Sequence, residues 1–203
     1  MNFPSKVLEK AVEEISSLPG IGKKSALRLA LHLLRVPESQ GMALGKAIQK
    51  LVTDIKYCQE CHNFSDEDIC EICSNHKRND EVLCIVEDVR DVMAIENTAK
   101  FNGKYLVLGG KISPMEGIGP HQLNIYSIER KLNEGKVKEL IFALSATMEG
   151  DTTAYYLYKK FKEFPVTFST IARGISVGDE LEYADEISLG RSIVNRLPYN
   201  EKM

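Results

Sequence analysis

Apolar positions follow two different periods along the 203-residue chain, and the change of period marks its organisation. Up to residue 57 the spacing is helical. Val7, Leu8, Ala11, Val12 and Ile15 recur at helical intervals after Pro4-Ser5, which marks a helix start. Leu18-Pro19-Gly20-Ile21-Gly22 interrupts the pattern. Ala26, Leu29, Ala30, Leu33 and Leu34 then define a second helix that must end before Pro37. A third runs from about Glu38 to Lys56, with Leu44, Ala47, Ile48, Leu51, Val52 and Ile55 on one face. Residues 1–57 therefore read as a small all-helical unit.

From Cys58 to about Asp80 the chain is polar and cysteine-rich, with too few apolar residues for a core, so it needs a staple. Beyond Glu81 short apolar runs alternate with amphipathic stretches. Val82–Val86, Tyr105–Leu108, Leu140–Leu144 and Val166–Ile171 predict buried parallel strands. Val89–Ala99, Gln122–Asn133 and Thr152–Phe164 predict helices between them. That βαβα order implies an α/β fold with a doubly wound sheet and right-handed crossovers. The tail, Ala184–Arg196, fits either a strand or a helix.

Composition changes this picture little, but charge does. With 43% hydrophobic and 27% charged residues the chain is globular rather than disordered. No apolar run approaches the roughly 18 residues of a membrane span. Glu9, Glu13 and Glu14 argue against a secretory signal at the start, so a cytoplasmic protein is expected. The net charge of −3 is unevenly spread: residues 1–57 hold nine Lys/Arg against five Asp/Glu, whereas residues 58–80 hold two against six. A general DNA coater is disfavoured, while the N-terminal third can still meet phosphates.

The turn between the first two helices carries the first candidate chemistry. A hairpin this tight needs backbone angles that glycine adopts cheaply, which accounts for Gly20 and Gly22 flanking Ile21. The N–H groups that open the second helix are then free to meet an anion, aided by the helix dipole. Lys24 and Arg28 lie four apart on one face beside them. The pattern resembles the helix-hairpin-helix motif that grips DNA phosphates without reading bases. The alternative is a helical hairpin that merely packs. One hairpin grips few phosphates, so useful affinity calls for several copies through oligomerisation.

Cys58, Cys61, Cys70 and Cys73 form a CxxC–x8–CxxC pattern. Each CxxC turn can present two thiolates to one tetrahedral ion, and the pair of turns completes a Zn2+ shell. Disulfides are disfavoured in a reducing compartment. A shell of four thiolates leaves no open position, so the zinc is structural. His62 and His76 are read as surface histidines, and Cys84, inside a strand, as a core residue.

Glu87 follows the first strand directly, and Glu149-Gly150-Asp151 follows Leu144 after a short loop. Ligands of open α/β sheets gather at that carboxyl edge. Three carboxylates there can converge on Mg2+. A solvated acidic edge that caps helices is the alternative.

Taken together, these motifs resemble the RecR family of bacterial recombination mediators over nearly the whole chain. Leu18–Gly22 with Lys24 and Arg28, the four cysteines and Val86-Glu87-Asp88 carry the resemblance. So do Leu108-Gly109-Gly110, Gly117-Ile118-Gly119-Pro120, Glu149-Gly150-Asp151 and Ile171-Ala172-Arg173-Gly174. Leu181-Glu182-Tyr183-Ala184-Asp185 completes it. The resemblance implies a helix-hairpin-helix over 1–57, a zinc finger over 58–80, a Toprim domain over 81–172 and a C-terminal oligomerisation segment over 173–203. It further implies a homo-oligomer, dimer or tetrameric ring, that clamps DNA. Such a clamp acts with RecO, and in some bacteria RecF, to load RecA onto single strands. By the same resemblance Gly20, Gly22, Lys24 and Arg28 face DNA, and Glu87, Glu149 and Asp151 serve RecO contact rather than catalysis. Glu149 stands where the Toprim pattern has Asp, which weakens the case for Mg2+. Lys23 stands where many relatives carry Pro. A Toprim enzyme that cleaves DNA with metal and water is the rival reading. A topoisomerase needs a tyrosine nucleophile, and none of the eight tyrosines here lies in a recognisable catalytic setting; an adaptor that never touches DNA leaves Lys24 and Arg28 without a purpose.

Overall fold

The structure, a computed structural model, describes residues 3–178 and 180–198, so part of the proposed C-terminal segment lies outside the described residues. The chain divides into two compact units at the junction of Ile55 and Lys56.

The first unit contains α1 (Lys6–Ser16), α2 (Lys23–Leu33) and α3 (Glu38–Asp54). Ser5 opens α1 by accepting a hydrogen bond from the Val7 N–H. α1 and α2 pack through Val12, Ala26 and Ala30, with Leu8, Ile15, Ile21 and Leu27 half-buried around them. Two alanines at the contact let the helix axes approach closely. α3 differs from expectation in one respect: it buries none of its residues. Leu44, Ile48, Leu51 and Val52 line the predicted apolar face, yet all four are exposed.

The second unit begins with a two-stranded hairpin, β1 (Lys56–Tyr57) and β2 (Phe64–Ser65), followed by the single turn α4 (Glu71–Ser74). A parallel sheet follows, built from β3 (Asn79–Val86), β4 (Gly103–Val107), β5 (Glu139–Ala143) and β6 (Thr167–Thr170) in the order β4-β3-β5-β6. α5 (Val89–Asn97), α6 (Ile125–Asn133) and α7 (Met148–Phe161) connect them, and α8 (Glu186–Val194) closes the described chain.

Alternation along β3 explains why its sequence reads as an unbroken apolar run. Leu83 and Ile85 face α6 and α7 with Leu106, Leu140 and Phe142. Cys84 and Val86 face α5 with Tyr105, Val107 and Ala143. Both faces are covered, so neither can be polar. β3 also starts three residues before the predicted strand, through the polar Asn79, Asp80 and Glu81.

Two helix starts depart from expectation. α6 begins at Ile125 rather than Gln122, because Pro120–Gln122 forms a 3-10 turn first. α7 begins at Met148 rather than Thr152, because the Thr147 hydroxyl accepts the Gly150 N–H and caps the helix there. The tail resolves as the helix α8, capped by Asp185, which accepts the Ser188 N–H.

Candidate functional site

Three places on the chain carry the candidate chemistry. In the first unit, Gly20 adopts φ +79° at the turn into α2, a left-handed angle that glycine takes without a Cβ penalty. Gly22 precedes α2 and has no side chain with which to cap it, so the first N–H groups stay open. Lys24 and Arg28 are exposed, and neither pairs with an acid among the described residues. They line a shallow recess of about 360 Å3 on α2 together with His32 and Arg35. Arg35 was not singled out in the sequence; it lies in the turn just past the end of α2 and borders the same recess as Lys24 and Arg28.

In the second unit, the four predicted zinc ligands come together. Cys58, Cys61 and Cys70 are buried and Cys73 half-buried. All four Sγ atoms lie within 4.8 Å of one another. Tetrahedral Zn–S bonds of about 2.3 Å place sulfurs about 3.8 Å apart, so the donor set fits that ion. The folding is local: the His62 N–H bonds to the Cys58 carbonyl at 2.9 Å and the Cys58 N–H to the Asn63 carbonyl at 2.8 Å, which closes the first CxxC turn. The Cys70 N–H, at the start of α4, donates to Cys58 Sγ at 3.3 Å. Hydrogen bonds from Cys61 and Cys73 hold the Cys70 thiol far below the usual range, and the bond to Cys70 pushes Cys61 up. Thiols this crowded share protons; a bound cation removes the competition.

The finger is fastened to the sheet. The outward N–H of Val107 on the edge strand β4 donates to the Cys61 carbonyl at 2.8 Å, so the finger covers a sheet edge. Lys104 Nζ reaches the Cys73 carbonyl at 3.2 Å. Lys131, and then burial and Arg130, act on Glu60, and the net effect lowers its carboxyl pKa. His62 corrects the sequence reading: it is no plain surface histidine. It is half-buried, and its Nε2 lies 2.8 Å from Ser127 Oγ on α6. His76 is exposed. Cys84 lies in the core, where burial pushes its thiol up to about 12.

At the carboxyl edge of the sheet the chain reverses its winding between β3 and β5, the switch point where α/β proteins bind ligands. Glu87 sits there, and its Oε1 accepts the Ser145 N–H at 2.6 Å, tying the ends of β3 and β5 together. Lys111 Nζ stands 4.0 Å from Glu87 Oε2 and within 3.3 Å of the Ser145 and Thr147 hydroxyls. Glu149 and Asp151 lie in the first turn of α7, not in a loop. Gly150 between them packs without room for a side chain, since a Cβ would fall 2.1 Å from the Ser145 carbonyl. The Glu149 carboxyl is lowered by its own N–H and by Thr147. Asp151 pairs with Arg173 at 2.6 Å and with Arg191 at 3.6 Å, and Arg173 lowers it most. The three carboxylates thus turn to separate partners and do not converge as one ligand set. Among the described residues the four cysteines are the group whose ligand atoms do. Lys111 and Arg191 escaped the sequence reading, and Arg173 had no assigned role there. Tyr183, also without one, is exposed.

A helix-hairpin-helix unit, a four-cysteine finger and a Toprim-type α/β sheet in one chain define a narrow class of protein. Family models of that class match in order along the chain. The RecR helix-hairpin-helix covers residues 8–52, and the RecR zinc finger domain, of the four-cysteine type, covers 55–75. The Toprim domain covers 81–172 and the RecR C-terminal model 174–196. The recombination protein RecR of Flavobacterium johnsoniae is 61% identical across 99% of this chain and 98% of its own length. Those of Flavobacterium psychrophilum and Cytophaga hutchinsonii are 59% and 57% identical, across 98% and 100% of this chain and 97% and 99% of theirs. The chain belongs to the RecR family of recombination proteins. Among the described residues no helix is long and apolar enough to cross a membrane.

Proposed function

We propose that the chain is a non-catalytic, cytoplasmic DNA clamp of recombinational repair. Its copies assemble around DNA and, with RecO and in some settings RecF, help to load RecA onto single strands. The observation that carries this reading is the cluster of exposed cations Lys24, Arg28 and Arg35 beside an uncapped helix N-terminus. That arrangement suits phosphates and offers nothing that reads a base. One structural Zn2+ per chain, held by Cys58, Cys61, Cys70 and Cys73, orders the finger and takes no part in a reaction, because four thiolates close its shell. Glu87, Glu149 and Asp151 supply a negative patch for a basic surface of RecO.

Changing Lys24 and Arg28 to Glu tests the phosphate contact. Affinity should fall alike for unrelated sequences, and the salt slope for single strands should lose roughly 1.4 per engaged chain, about 0.7 for each phosphate. Unchanged affinity at moderate salt would move the DNA surface elsewhere. Native mass measurement with DNA should show an oligomer; a persistent monomer is incompatible with a clamp. Prolonged incubation with Mg2+ or Mn2+ should leave DNA intact, while Glu87→Ala and Glu149→Ala weaken RecO association most at low salt. Metal-dependent cleavage that vanishes in Glu87→Ala, with RecO binding retained, would make the protein a Toprim nuclease instead.

A further inference from the structure

We propose that Tyr57 and Phe64, on the finger's hairpin, form a stacking platform for one unpaired base of single-stranded DNA. The inference rests on the DNA-binding reading above and adds to it a second, non-phosphate contact. The two residues are direct cross-strand partners, with ring centroids 5.3 Å apart and planes tilted by 54°. Tyr57 is 65% exposed and Phe64 46%. Neither belongs to the finger's own core, which is made of the cysteines and Ile72. The finger therefore displays two aromatic faces that its interior does not use. They are held rigidly, because the cysteine turn fixes the hairpin and Cys61 is bonded to β4.

The rings border a recess of about 500 Å3 that runs from the hairpin to the carboxyl edge of the sheet, between His62, Val89 and Asn124. Its walls combine aromatic faces with polar atoms that can take a base edge. Asn124 spends its Nδ2 on the Val107 carbonyl at 2.9 Å, which leaves its Oδ1 as an acceptor for a base N–H. Lys56 lies next to Tyr57 in the chain, and Arg90 lines the recess. Each is tied to an acid, Asp68 and Asp88 respectively. Exposed ion pairs of this kind contribute little and exchange readily, so a backbone phosphate can take the carboxylate's place. A stacked base with a phosphate at its rim is how single strands are held without regard to sequence. Duplex DNA hides its base faces and cannot use the platform.

Two measurements on the full-length, zinc-loaded protein test this. In the first, a single strand carrying 5-iododeoxyuridine is photocrosslinked to the wild-type protein. Crosslinks at Tyr57 or Phe64 are expected; crosslinks confined to other residues overturn the platform. In the second, Tyr57→Leu/Phe64→Leu keeps an apolar cross-strand pair but removes both π-faces. Single-strand affinity should fall roughly tenfold, the salt slope should stay put because no phosphate contact is lost, and duplex affinity should not move. Tyr57→Phe alone, which keeps both aromatic faces, should bind single strands like the wild type. Single-strand affinity equal to wild type overturns the platform but leaves the clamp reading standing. A change in native mass without loss of base contact also overturns it, making this face a contact between copies. Failure of the wild-type protein to bind any DNA would remove the DNA-binding reading itself.

Discussion

The sheet buries Leu83, Ile85, Leu106, Leu140, Leu157 and Phe161 almost completely, whereas the finger beside it buries three cysteines and little else. The first is held by apolar area removed from water, at about 25 cal/mol per Å2. The second has no comparable area, and its order depends on what binds its thiols. The two are not independent, because the finger carbonyl of Cys61 satisfies an edge N–H of the sheet. A region without a core thus protects one that has a core, and metal linkage reaches further than the residues that hold the metal.

Removing the metal should break the comparison most severely. In isolated zinc peptides the linkage is on the order of 10 kcal/mol. A chelator, or Cys61→Ser, should therefore unfold residues 56–75 as a group while β3 and β5 persist. Amide exchange can follow both at once: protection should vanish in the finger and survive in the central strands. Light scattering should rise as well, because β4 is left as an open edge. Full protection of the finger after complete zinc removal would show that it has a stabilising core after all.

The reciprocal change is smaller. Leu140 is fully buried between the helices and the sheet, and Leu140→Ala should cost about 2–5 kcal/mol. The denaturation midpoint should fall, yet zinc content without denaturant should remain one per chain. Loss of zinc along with sheet stability would mean that the finger depends on the sheet more than the sheet on the finger. A subtler probe is Gly150→Ala. The Cβ would meet the Ser145 carbonyl, so the start of α7 must shift and the Glu87–Ser145 bond must loosen. On the proposed role of the acidic edge, RecO association should then fall without any change in charge, at a cost of about 1–3 kcal/mol in stability.

The same contrast explains what could be read in the sequence. β3, β4 and β5 were legible because two buried faces erase alternation, and the cysteine spacing because ligands must recur at turn intervals. The run Val166–Ile171 does form a strand, β6, but not the buried one expected: it is the outer strand of the order and none of its residues is buried. β1, β2 and α4 were not, since elements of two to four residues have no period and exist because the cysteine turns place them. The start of α7 was hidden because Met148-Glu149-Gly150 has no apolar repeat; the cap at Thr147 sets it. A helical period reveals that α3 has an apolar face but not what covers it. The Asp151 contacts to Arg173 and Arg191, like that of Lys111 to Glu87, join residues far apart in the chain. Nothing local announces such pairs. Charge alone predicted an acidic edge, and only the fold shows that the protein's own cations partly neutralise it.

The mildest expected effect lies at the seam between finger and sheet. Arg78, just before β3, pairs with Glu96 on α5 and donates to the carbonyls of Phe101 and Gly103. The Tyr105 hydroxyl donates to the same carboxylate at 2.6 Å. Arg78 holds the Glu96 carboxyl below its ordinary value of 4.5, more than burial raises it. A carboxylate depressed on folding stabilises the fold fully above its unfolded value, and that share is lost as pH falls through the folded one. Acid also protonates the cysteines, so the pH dependence of the whole protein cannot isolate this contact. The difference between wild type and Glu96→Gln can, because both carry the same zinc site. At pH 7 the variant should be less stable by about 1.5 kcal/mol, the low end of the range for hydrogen bonds to a charged group, because the pair is partly exposed. The gap should close as pH falls below 4.5 and through the lower value of the folded state, as wild-type Glu96 takes up the proton that glutamine mimics. Denaturant titrations at each pH, run on zinc-saturated protein down to the pH where zinc leaves, measure it directly. A gap that stays constant across that range would assign the seam to packing around Arg78 rather than to its charge.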